Sequence, residues 1–539
     1  MGFSVPNIFT NVGNPVIDAN AVNANYASIS TVLNYIFDVR FYGAKWDGVT
    51  DDAAAIQTAI NDASAAGGGT VLLPPGTGAF GAELQVPEYV RLVGSGLWIT
   101  QLKALSSTMS GISVTGKYAQ ASDFFMYAPV GSTGTGLGVS GAAECSFRNL
   151  QISEFVTGVV QTTSPNSRFT NVLCTNSSVS DSIGFAIDGK SGGNVSSIYR
   201  DCSVAGLQTG TSSQLNTANA PKIGWLIYSS LADGDCGDLN FFNCSTSNVG
   251  TASKHNFANV LPYSDTSSDI IWSNFVFDLF TAYGFQILGG DNSTMVKMRG
   301  GFLDAAPYGT TTVVGIYGSN RGLLIEGVEW IAVDTSFGYS AFATQFAGQD
   351  VVMTGCTVNG WDRGSYVNGG KATIIGNRFY GTANDGGSGV GRNMNAVQIY
   401  NSTGSVVVGN LMSASVAGGI PVAIYFDATA NQCVAIANDL TSTNITTPVD
   451  NASTTSKIAD NLGYNPVGAM TAPTVGASPW TYTNRTGVDQ TLNVSGGTIS
   501  AISANGVATG LTSGSFLVPA GNTLVVTYTA APTISASGN

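Results

Sequence analysis

Short runs of apolar residues, each broken at one fixed polar or small position, recur through the middle of the chain. The fixed position is Asn, Asp, Ser or Gly, and successive examples stand about 21 to 42 residues apart. A unit of this size cannot bury its own apolar face, so its copies must stack on one another. The pattern predicts an all-β solenoid, most simply a parallel β-helix. The segments are SFRNLQI (146–152), RFTNVLC (168–174), YRDCSV (199–204), FFNCST (241–246), IWSNFV (271–276), MRGGFL (298–303), IEGVEW (325–330), MTGCTV (353–358), IIGNRF (374–379) and VVGNLM (407–412).

Alternation within a strand predicts which side chains face the interior. An apolar residue shortly before each fixed position forms the predicted inward column, which contains Phe147, Phe169, Tyr199, Phe241, Ile271, Met298, Ile325, Met353 and Ile374. The neighbouring column is predicted to face outward and contains Arg148, Thr170, Arg200, Phe242, Trp272, Arg299, Glu326 and Thr354. A second outward column follows, with Gln151, Leu173, Ser203, Ser245, Phe275, Phe302, Glu329, Thr357 and Arg378.

Changes of pattern along the chain predict four parts. Residues 1–37 carry apolar residues at three- and four-residue spacing, which is typical of an amphipathic helix for attachment or trimerisation. Residues 38–105 contain a predicted helix at 52–66, capped by Thr50 or Asp51, and the first coils. Residues 106–462 form the solenoid body with a substrate groove. Residues 463–539, with short alternating runs and Gly-rich turns, predict an antiparallel β-sandwich.

The opening module resembles the pectate-lyase-like right-handed β-helix family. The residues that match its GAxxDGxTDDxxAIQxAI…GGGxVxxPxG pattern are Gly43, Ala44, Asp47, Gly48, Thr50, Asp51, Asp52, Ala55, Ile56, Gln57, Ala59, Ile60, Gly67–Gly69, Val71, Pro74 and Gly76. The resemblance implies that the helix covers the open end of the solenoid and protects its strand edges. We interpret Asp47, Asp51 and Asp52 as turn and helix-cap carboxylates rather than catalytic groups.

The two ends of the chain, IDANAVNANYASI and the 463–539 segment, resemble those of phage tailspikes. This resemblance implies a homotrimer on the phage tail that acts at the surface of the host cell. Its expected partners are a bacterial capsular or O-antigen polysaccharide, other copies of itself, and a tail, baseplate or adaptor protein.

Aromatic and charged residues cluster in the middle of the predicted outward surface. We predict Phe242, Trp272, Phe275, Arg299 and Phe302 as substrate-binding residues, because sugar rings stack on aromatic faces. Hydrolysis of a glycosidic bond needs two carboxyl groups. Glu326 and Glu329 flank Gly327 and are predicted to form that pair, with Asp304 as a third catalytic carboxylate and Asp278 in a similar position.

Other interpretations of these residues stay open. The surface can instead be a contact between subunits, with the glutamates paired to Arg299 and Arg378. A lyase would use Arg299 or a lysine as base, and a non-cleaving receptor-binding fibre or a secreted pectinase are further alternatives. We interpret the acidic loop with Asp233, Asp235 and Asp238 as an ordinary solvated loop, because it lacks the EF-hand spacing, with catalysis or calcium binding as the alternative. His255, the single histidine, is interpreted as structural.

Composition narrows the function classes. The net charge of −13 with 20 Lys and Arg residues argues against nucleic-acid binding. No apolar stretch has the length of a membrane span, and no secretory signal is recognisable. The seven cysteines are predicted to be buried free thiols, and neither a metal nor another cofactor is predicted.

Overall fold

The computed structural model describes residue 24 and residues 34–176, 182–189, 196–206, 222–228, 236–256, 269–288, 295–305, 313–319, 321–331, 341–381, 394–415, 417–464, 468–486 and 488–538. The chain forms two compact units, one with residues 1–261 and 267–276, the other with residues 262–266 and 277–539. Most of the predicted N-terminal helical segment, as well as Asp233 and Asp235, lies outside the described residues.

The first unit is built from short strands and one α-helix, α1 (Ala53–Ala65), which follows a 3₁₀-helix at Val39–Tyr42. Its strands are β1 (Ile36–Asp38), β2 (Asp47–Asp51), β3 (Gly69–Leu72), β4 (Gly76–Phe80), β5 (Leu84–Val86), β6 (Val90–Val93), β7 (Thr100–Ala104), β8 (Ile112–Val114), β9 (Gln120–Tyr127), β10 (Thr135–Ser140), β11 (Ser146–Ser153), β12 (Thr157–Thr162), β13 (Arg168–Asn176), β14 (Ile183–Asp188), β15 (Ile198–Arg200), β16 (Ser203–Gly206), β17 (Ile223–Tyr228), β18 (Leu239–Phe242) and β19 (Ser245–Asn256). The long strand β20 (Asp269–Leu288) begins here and ends in the second unit.

Parallel pairing between strands that are distant in the sequence makes the first unit a solenoid. One ladder runs through β9, β11, β13, the pair β15 and β16, and the pair β18 and β19. A second ladder runs through β8, β10, β12, β14, β17 and β19. The predicted right-handed parallel β-helix is therefore confirmed.

Helix α1 covers the strands at the beginning of the first unit. Ile56, Ala59, Ile60 and Ala63 are fully buried, and the helix contacts β1, β3, β5 and β6. The Gln57 amide donates to the carbonyl of Gln85 at 3.0 Å and accepts from its N–H at 2.8 Å. These bonds satisfy backbone groups of β5 that would otherwise be open to another strand.

Three aspartates of the opening motif hold the turn before α1. Asp52 is buried and accepts from the N–H groups of Lys45 at 2.6 Å and Trp46 at 3.1 Å. Asp51 accepts from Ala53 and Gly81, while hydrogen bonds from residues 49 and 50 lower the pKa of Asp47 to about 2. All three carboxylates are therefore occupied by backbone groups, as the structural interpretation requires. Asp52 occupies the N-cap position, so the predicted cap at Thr50 or Asp51 lies one or two residues too early.

The second unit repeats the same architecture and ends in two antiparallel sheets. Its solenoid strands are β21 (Met295–Ala305), β22 (Val313–Gly318), β23 (Leu323–Ile331), β24 (Ala341–Phe346), β25 (Val351–Thr354), β26 (Thr357–Asn359), β27 (Arg363–Asn368), β28 (Ala372–Ile375), β29 (Arg378–Gly381), β30 (Asn395–Tyr400), β31 (Val406–Val408), β32 (Leu411–Ala414), β33 (Ile420–Phe426), β34 (Val434–Ile436), β35 (Ile445–Asn451) and β36 (Lys457–Ala459). One ladder links β21, β23, β25 and β26, and then β28 and β29. The other links β22, β24, β27, β30, β33 and β35.

The C-terminal strands form the antiparallel sheets that the sequence predicts. They are β37 (Gly468–Met470), β38 (Trp480–Thr483), β39 (Gln490–Ser495), β40 (Thr498–Ala504), β41 (Val507–Ala508), β42 (Gly514–Val518), β43 (Thr523–Ala530) and β44 (Thr533–Gly538). One sheet contains β37, β44, β39 and β42, and the other contains β38, β43, β40 and β41. Apolar residues from both sheets share one core around Leu492, Phe516 and Val526.

Candidate functional site

Nine of the ten fixed positions, together with Asn274, which follows the fixed position Ser273 of the remaining segment, share one backbone conformation. Each has a positive φ between 50° and 64°, from Asn149 and Asn171 in β11 and β13 to Gly376 and Gly409 near the end of the solenoid. This left-handed region is open to Gly and, at low cost, to Asn and Asp. The pattern therefore marks a bend that recurs in each coil.

Inside the first unit, aromatic rings stack in register immediately before this bend. Successive ring centroids are 4.9 Å apart for Phe147 and Phe169, 5.0 Å for Phe169 and Tyr199, and 4.7 Å for Tyr199 and Phe241. The next ring in this stack belongs to Trp272, 3.9 Å from Phe241. The interior column is thus aromatic over five coils.

The predicted outward orientation of Trp272 and Phe275 is wrong. Trp272 pairs with Phe241 and has no exposed surface, and Phe275, which directly follows the bend at Asn274, is equally buried. The residue opposite Phe242 is Ser273. The predicted columns placed Ile271 inward, one position too early, and a shift by one residue exchanges the two faces of a strand. Neither aromatic side chain is placed to bind a substrate.

Phe242 remains at the surface of the first unit. Its side chain is half-buried, and the guanidinium of Arg200 lies over the ring at 5.3 Å from the centroid. These two residues face each other in the register between β15 and β18. The ring can offer a sugar only the part that Arg200 leaves open.

The second unit brings the two predicted glutamates together with two of the predicted binding residues. Glu326 and Glu329 are exposed on β23 and are separated by the bend at Gly327, whose φ is +62°. On β21, Arg299 stands opposite Glu326, and Phe302 stands opposite Glu329. The Arg299 Nε lies 3.5 Å from a Glu326 carboxylate oxygen, with the two side chains 54% and 55% exposed.

The following coils continue the same two columns. Thr354 stands opposite Glu326, and Thr357 stands opposite Glu329. Arg378 comes one coil later, opposite Thr357, so that a threonine separates it from Glu329 in the register. Part of the alternative ion-pair interpretation therefore holds, namely the pair of Arg299 with Glu326. An ion pair this exposed contributes little to stability.

The third predicted carboxylate has a different environment from the glutamates. Asp304 is buried on β21, two residues beyond Phe302, and stands opposite Ile331. Asp278 on β20 is half-buried, and burial raises its pKa. Among the described residues of this surface, Glu326 and Glu329 are thus the carboxylates open to a polymer.

The histidine and the cysteines are internal. Burial lowers the pKa of His255 to about 3, and its Nε2 lies 3.0 Å from the Ser253 hydroxyl. All seven cysteines are buried free thiols, as predicted, and burial raises the pKa of Cys145 and of Cys356 to about 11. Such thiols are poor nucleophiles. Of the acidic loop, Asp238 is described and exposed.

A second aromatic surface is not predicted by the sequence pattern, because that pattern covers only one strand of each coil. Phe342, Tyr366, Tyr400 and Tyr425 stand on β24, β27, β30 and β33 with half-buried rings, and we call these four residues the aromatic ladder. Their signal in the sequence is a single aromatic residue at an outward position of each following strand. Within the described residues, no group of His, Cys, Asp or Glu is arranged to hold a metal ion, and no helix has the length and apolarity of a membrane span.

Comparison with known sequences identifies the opening part of the chain. Residues 36–224 match the family described as rhamnogalacturonase A/epimerase, pectate lyase-like, so the predicted resemblance of the opening module is confirmed. Mannuronan C5-epimerase AlgE6 of Azotobacter vinelandii is 40% identical over 84 residues, which are 14% of this chain and 10% of that protein. Alginate lyase 7 of the same organism is 43% identical over 74 residues, 12% of this chain and 9% of the lyase.

Two phage tailspikes are among the solved structures that are similar to this chain, both at low sequence identity. Tailspike protein 3 of bacteriophage CBA120 is 13% identical, with a TM-score of 0.48 over 84% of this chain and 66% of that one. A variant of the tailspike of E. coli bacteriophage HK620, solved with a hexasaccharide, is 14% identical, with a TM-score of 0.49 over 94% of this chain and 93% of the tailspike.

Proposed function

We propose that this protein is a homotrimeric phage tailspike that binds a bacterial capsular or O-antigen polysaccharide and hydrolyses its glycosidic bonds. The observation that carries the proposal is the exposed pair Glu326 and Glu329 on one strand, with Arg299 and Phe302 opposite them in the preceding coil. A flat ring beside two carboxylates suits a sugar, because the apolar C–H face of the sugar covers the ring while its hydroxyls meet the charges.

The two carboxylates would divide the chemistry between a base and an acid. We assign Glu326 as the base that activates water, because its carboxylate is held by the Arg299 guanidinium, whose Nε lies 3.5 Å away. Glu329, opposite the Phe302 ring, would donate the proton to the departing glycosidic oxygen. The proton lost by the water ends on Glu326, so charges balance over the reaction.

The spacing of the pair favours inversion at the sugar carbon. Three residues in a fully extended strand span about 10 Å. The left-handed Gly327 bends this stretch and shortens it. Inverting enzymes hold their carboxyl groups about 6.5–9.5 Å apart to leave room for a water molecule, whereas retaining enzymes hold them at about 5 Å.

Elimination is the second candidate reaction. In that case Arg299 or a lysine would take the proton next to a uronate carboxylate, and the product would be unsaturated. The match to an alginate lyase over 74 residues favours this alternative, and the ion pair that occupies Arg299 disfavours it. A fibre that binds without cleaving would have the same aromatic surface.

The test is cleavage of purified capsular and O-antigen polysaccharides by the full chain. We expect new reducing ends without the ultraviolet absorbance of an unsaturated product. Glu326→Gln and Glu329→Gln should each slow cleavage by roughly 100-fold or more, because each removes one of the two proton-transferring groups. Glu88→Gln, at an exposed glutamate of the first unit, is the matched control and should cleave at the parent rate.

Each result separates the candidates. Parent rates in both glutamate variants would rule out this pair as the catalytic groups. An unsaturated product would establish elimination, and binding without any new ends would establish a fibre.

The remaining parts of the chain follow the same proposal. Residues 1–37 would join the protein to the phage tail or an adaptor and assist trimerisation, and residues 38–105 would begin the solenoid. Residues 106–462 would carry the polysaccharide groove. The C-terminal β-domain, 463–539, would complete the trimer or add contacts to the host.

A further inference from the structure

The aromatic ladder is a continuous row of rings that stands on one set of stacked strands in the second unit. Ring centroids are 5.4 Å apart for Phe342 and Tyr366, and 5.1 Å apart for both Tyr366 with Tyr400 and Tyr400 with Tyr425. Their strands stack in the order β24, β27, β30, β33. The rings therefore rise by one coil at each step, along the axis of the stacked strands.

Polar groups are interleaved with these rings. In the register of the strands, Gln345, Tyr366, Gln398 and Tyr425 succeed one another in one column. Gln345 is half-buried at the surface, whereas Gln398 is buried. The Arg363 guanidinium lies over the Phe342 ring at 4.7 Å and over the Tyr366 ring at 5.3 Å. At the other end, Asp450 stands opposite Tyr425.

We propose that the aromatic ladder is a second glycan-binding surface, which holds a neutral, hydroxyl-rich stretch of polysaccharide along the axis of the strands. This inference rests on the proposed function, since it concerns the same class of substrate. Parallel strands lie about 4.8 Å apart, a spacing comparable to the length of one sugar unit in an extended chain. Tyr400 and Tyr425 can then each stack with about one sugar, and Phe342 and Tyr366 offer the part of the ring that Arg363 leaves open. The phenols and the half-buried Gln345 amide can bind hydroxyls.

A protein partner fits this surface less well. The ladder strands β27 and β30 are paired on both sides, so they offer no free backbone edge to an added strand. Tyr, Phe and Arg are also common at subunit contacts, so the mass of the particle is measured beside polysaccharide binding in the experiment below. Asp450 beside Tyr425 also disfavours an acidic sugar at that end.

The ladder and the glutamates stand on different strands of the second unit. Glu326 and Glu329 belong to β23, which pairs with β21, β25 and β26, whereas the ladder belongs to the other set of paired strands. The ladder would therefore retain long chains without contacting the bond that is cleaved. Its loss should affect long polysaccharides more than short fragments.

The experiment compares the parent with Tyr366→Thr/Tyr400→Thr on immobilised capsular and O-antigen polysaccharides. Thr suits a strand, so the sheet should persist while the rings are lost. We expect the dissociation constant for the long polysaccharide to rise roughly tenfold or more. Cleavage of its short fragments should stay at the parent rate. Tyr366→Phe/Tyr400→Phe keeps the rings and should bind nearly as the parent does.

Two further variants complete the design. Tyr118→Thr removes an exposed ring of the first unit and should leave binding unchanged. Tyr425→Thr should weaken binding in the same direction as the double variant, and it provides an independent test if the double variant does not fold.

The possible results separate this inference from the proposed function. If the ladder variants bind the polysaccharide as the parent does and cleavage is intact, the glycan-binding role of the aromatic ladder is wrong while the proposed function stands. Retention on none of the polysaccharides would overturn both proposals. A change in the mass of the particle in sedimentation would instead identify the ladder as a contact between copies of the chain.

Discussion

At the scale of single residues, the residue type at the recurrent bend changes along the chain while its backbone conformation stays the same. Asn and Asp occupy it in the first unit, and Gly occupies it in most of the second. In the first unit the side chains also bond to one another, as in Asn171 Nδ2 to Asn149 Oδ1 at 3.0 Å. Gly makes no such bond but adopts the conformation without strain.

A substitution at Gly327 tests this account. Gly327→Asn should leave the urea midpoint nearly unchanged, because Asn tolerates the left-handed region and the nearest atom to an added Cβ is 3.9 Å away. Gly327→Val should lower the free energy of unfolding by about 1–2 kcal/mol or more, because a β-branched residue is strained there. Thr357→Val, at a neighbouring outward position, is the control. Equal midpoints for the Asn and Val variants would contradict the need for a left-handed residue.

Trp272 shows how far residue orientation was predictable. The predicted columns place the fixed position of this segment at Ser273, whereas the positive φ belongs to Asn274, one residue later. The face on which Trp272 lies was predicted wrongly, because Ile271 and Trp272 are adjacent apolar residues and the segment alone does not show which of them faces inward. Pairing with Phe241 resolves this, and such pairing depends on the neighbouring coil rather than on the segment itself.

At the scale of elements, a row of buried asparagines connects the last coils of the solenoid. Asn377, Asn410, Asn438 and Asn461 each follow a left-handed residue. The Asn410 Oδ1 accepts from the N–H of Asn377 at 2.9 Å, and its Nδ2 donates to the carbonyl of Ile374 at 2.9 Å. The row thus satisfies backbone groups at the bend, where the regular ladder is interrupted.

Removal of one member should affect two coils at once. We expect Asn410→Ala to lower the free energy of unfolding by about 2–4 kcal/mol, since several buried groups lose their partners. Asn431→Ala, at an exposed asparagine, should cost less than about 0.5 kcal/mol. Chemical denaturation of both variants gives the comparison. A loss at Asn410 no larger than that at Asn431 would show that the bend needs no side-chain bonds.

Elements were predictable where the pattern within a segment decides them. The helix expected at 52–66 is found at Ala53–Ala65, because its buried face and the glycines that end it are local signals. The strands of the aromatic ladder were not assigned, although their coils were. Their outward residues vary between aromatic, amide and charged types, so no single position repeats clearly enough to align.

At the scale of the whole molecule, stacking of coils was predictable because repetition requires a neighbour for each apolar face. The pairing of Arg299 with Glu326 and of Phe302 with Glu329 follows directly from aligned bends at Gly300 and Gly327. The wider groove was predicted less well, since two of its aromatic residues proved to be interior. What remains is a smaller surface around Phe302, which could either bind polysaccharide or form a contact between subunits.

Phe302→Ala distinguishes a substrate surface from a subunit contact. If the ring stacks with a sugar, its loss should weaken polysaccharide binding roughly tenfold and leave the sedimenting mass at the value of the parent protein. If the ring lies between subunits, the mass should fall instead. Ile375→Ala, at an exposed outward residue of β28, controls for the loss of apolar surface and should change neither quantity. A smaller particle for Phe302→Ala alone would therefore identify this surface as a contact between subunits and not as a polysaccharide-binding surface.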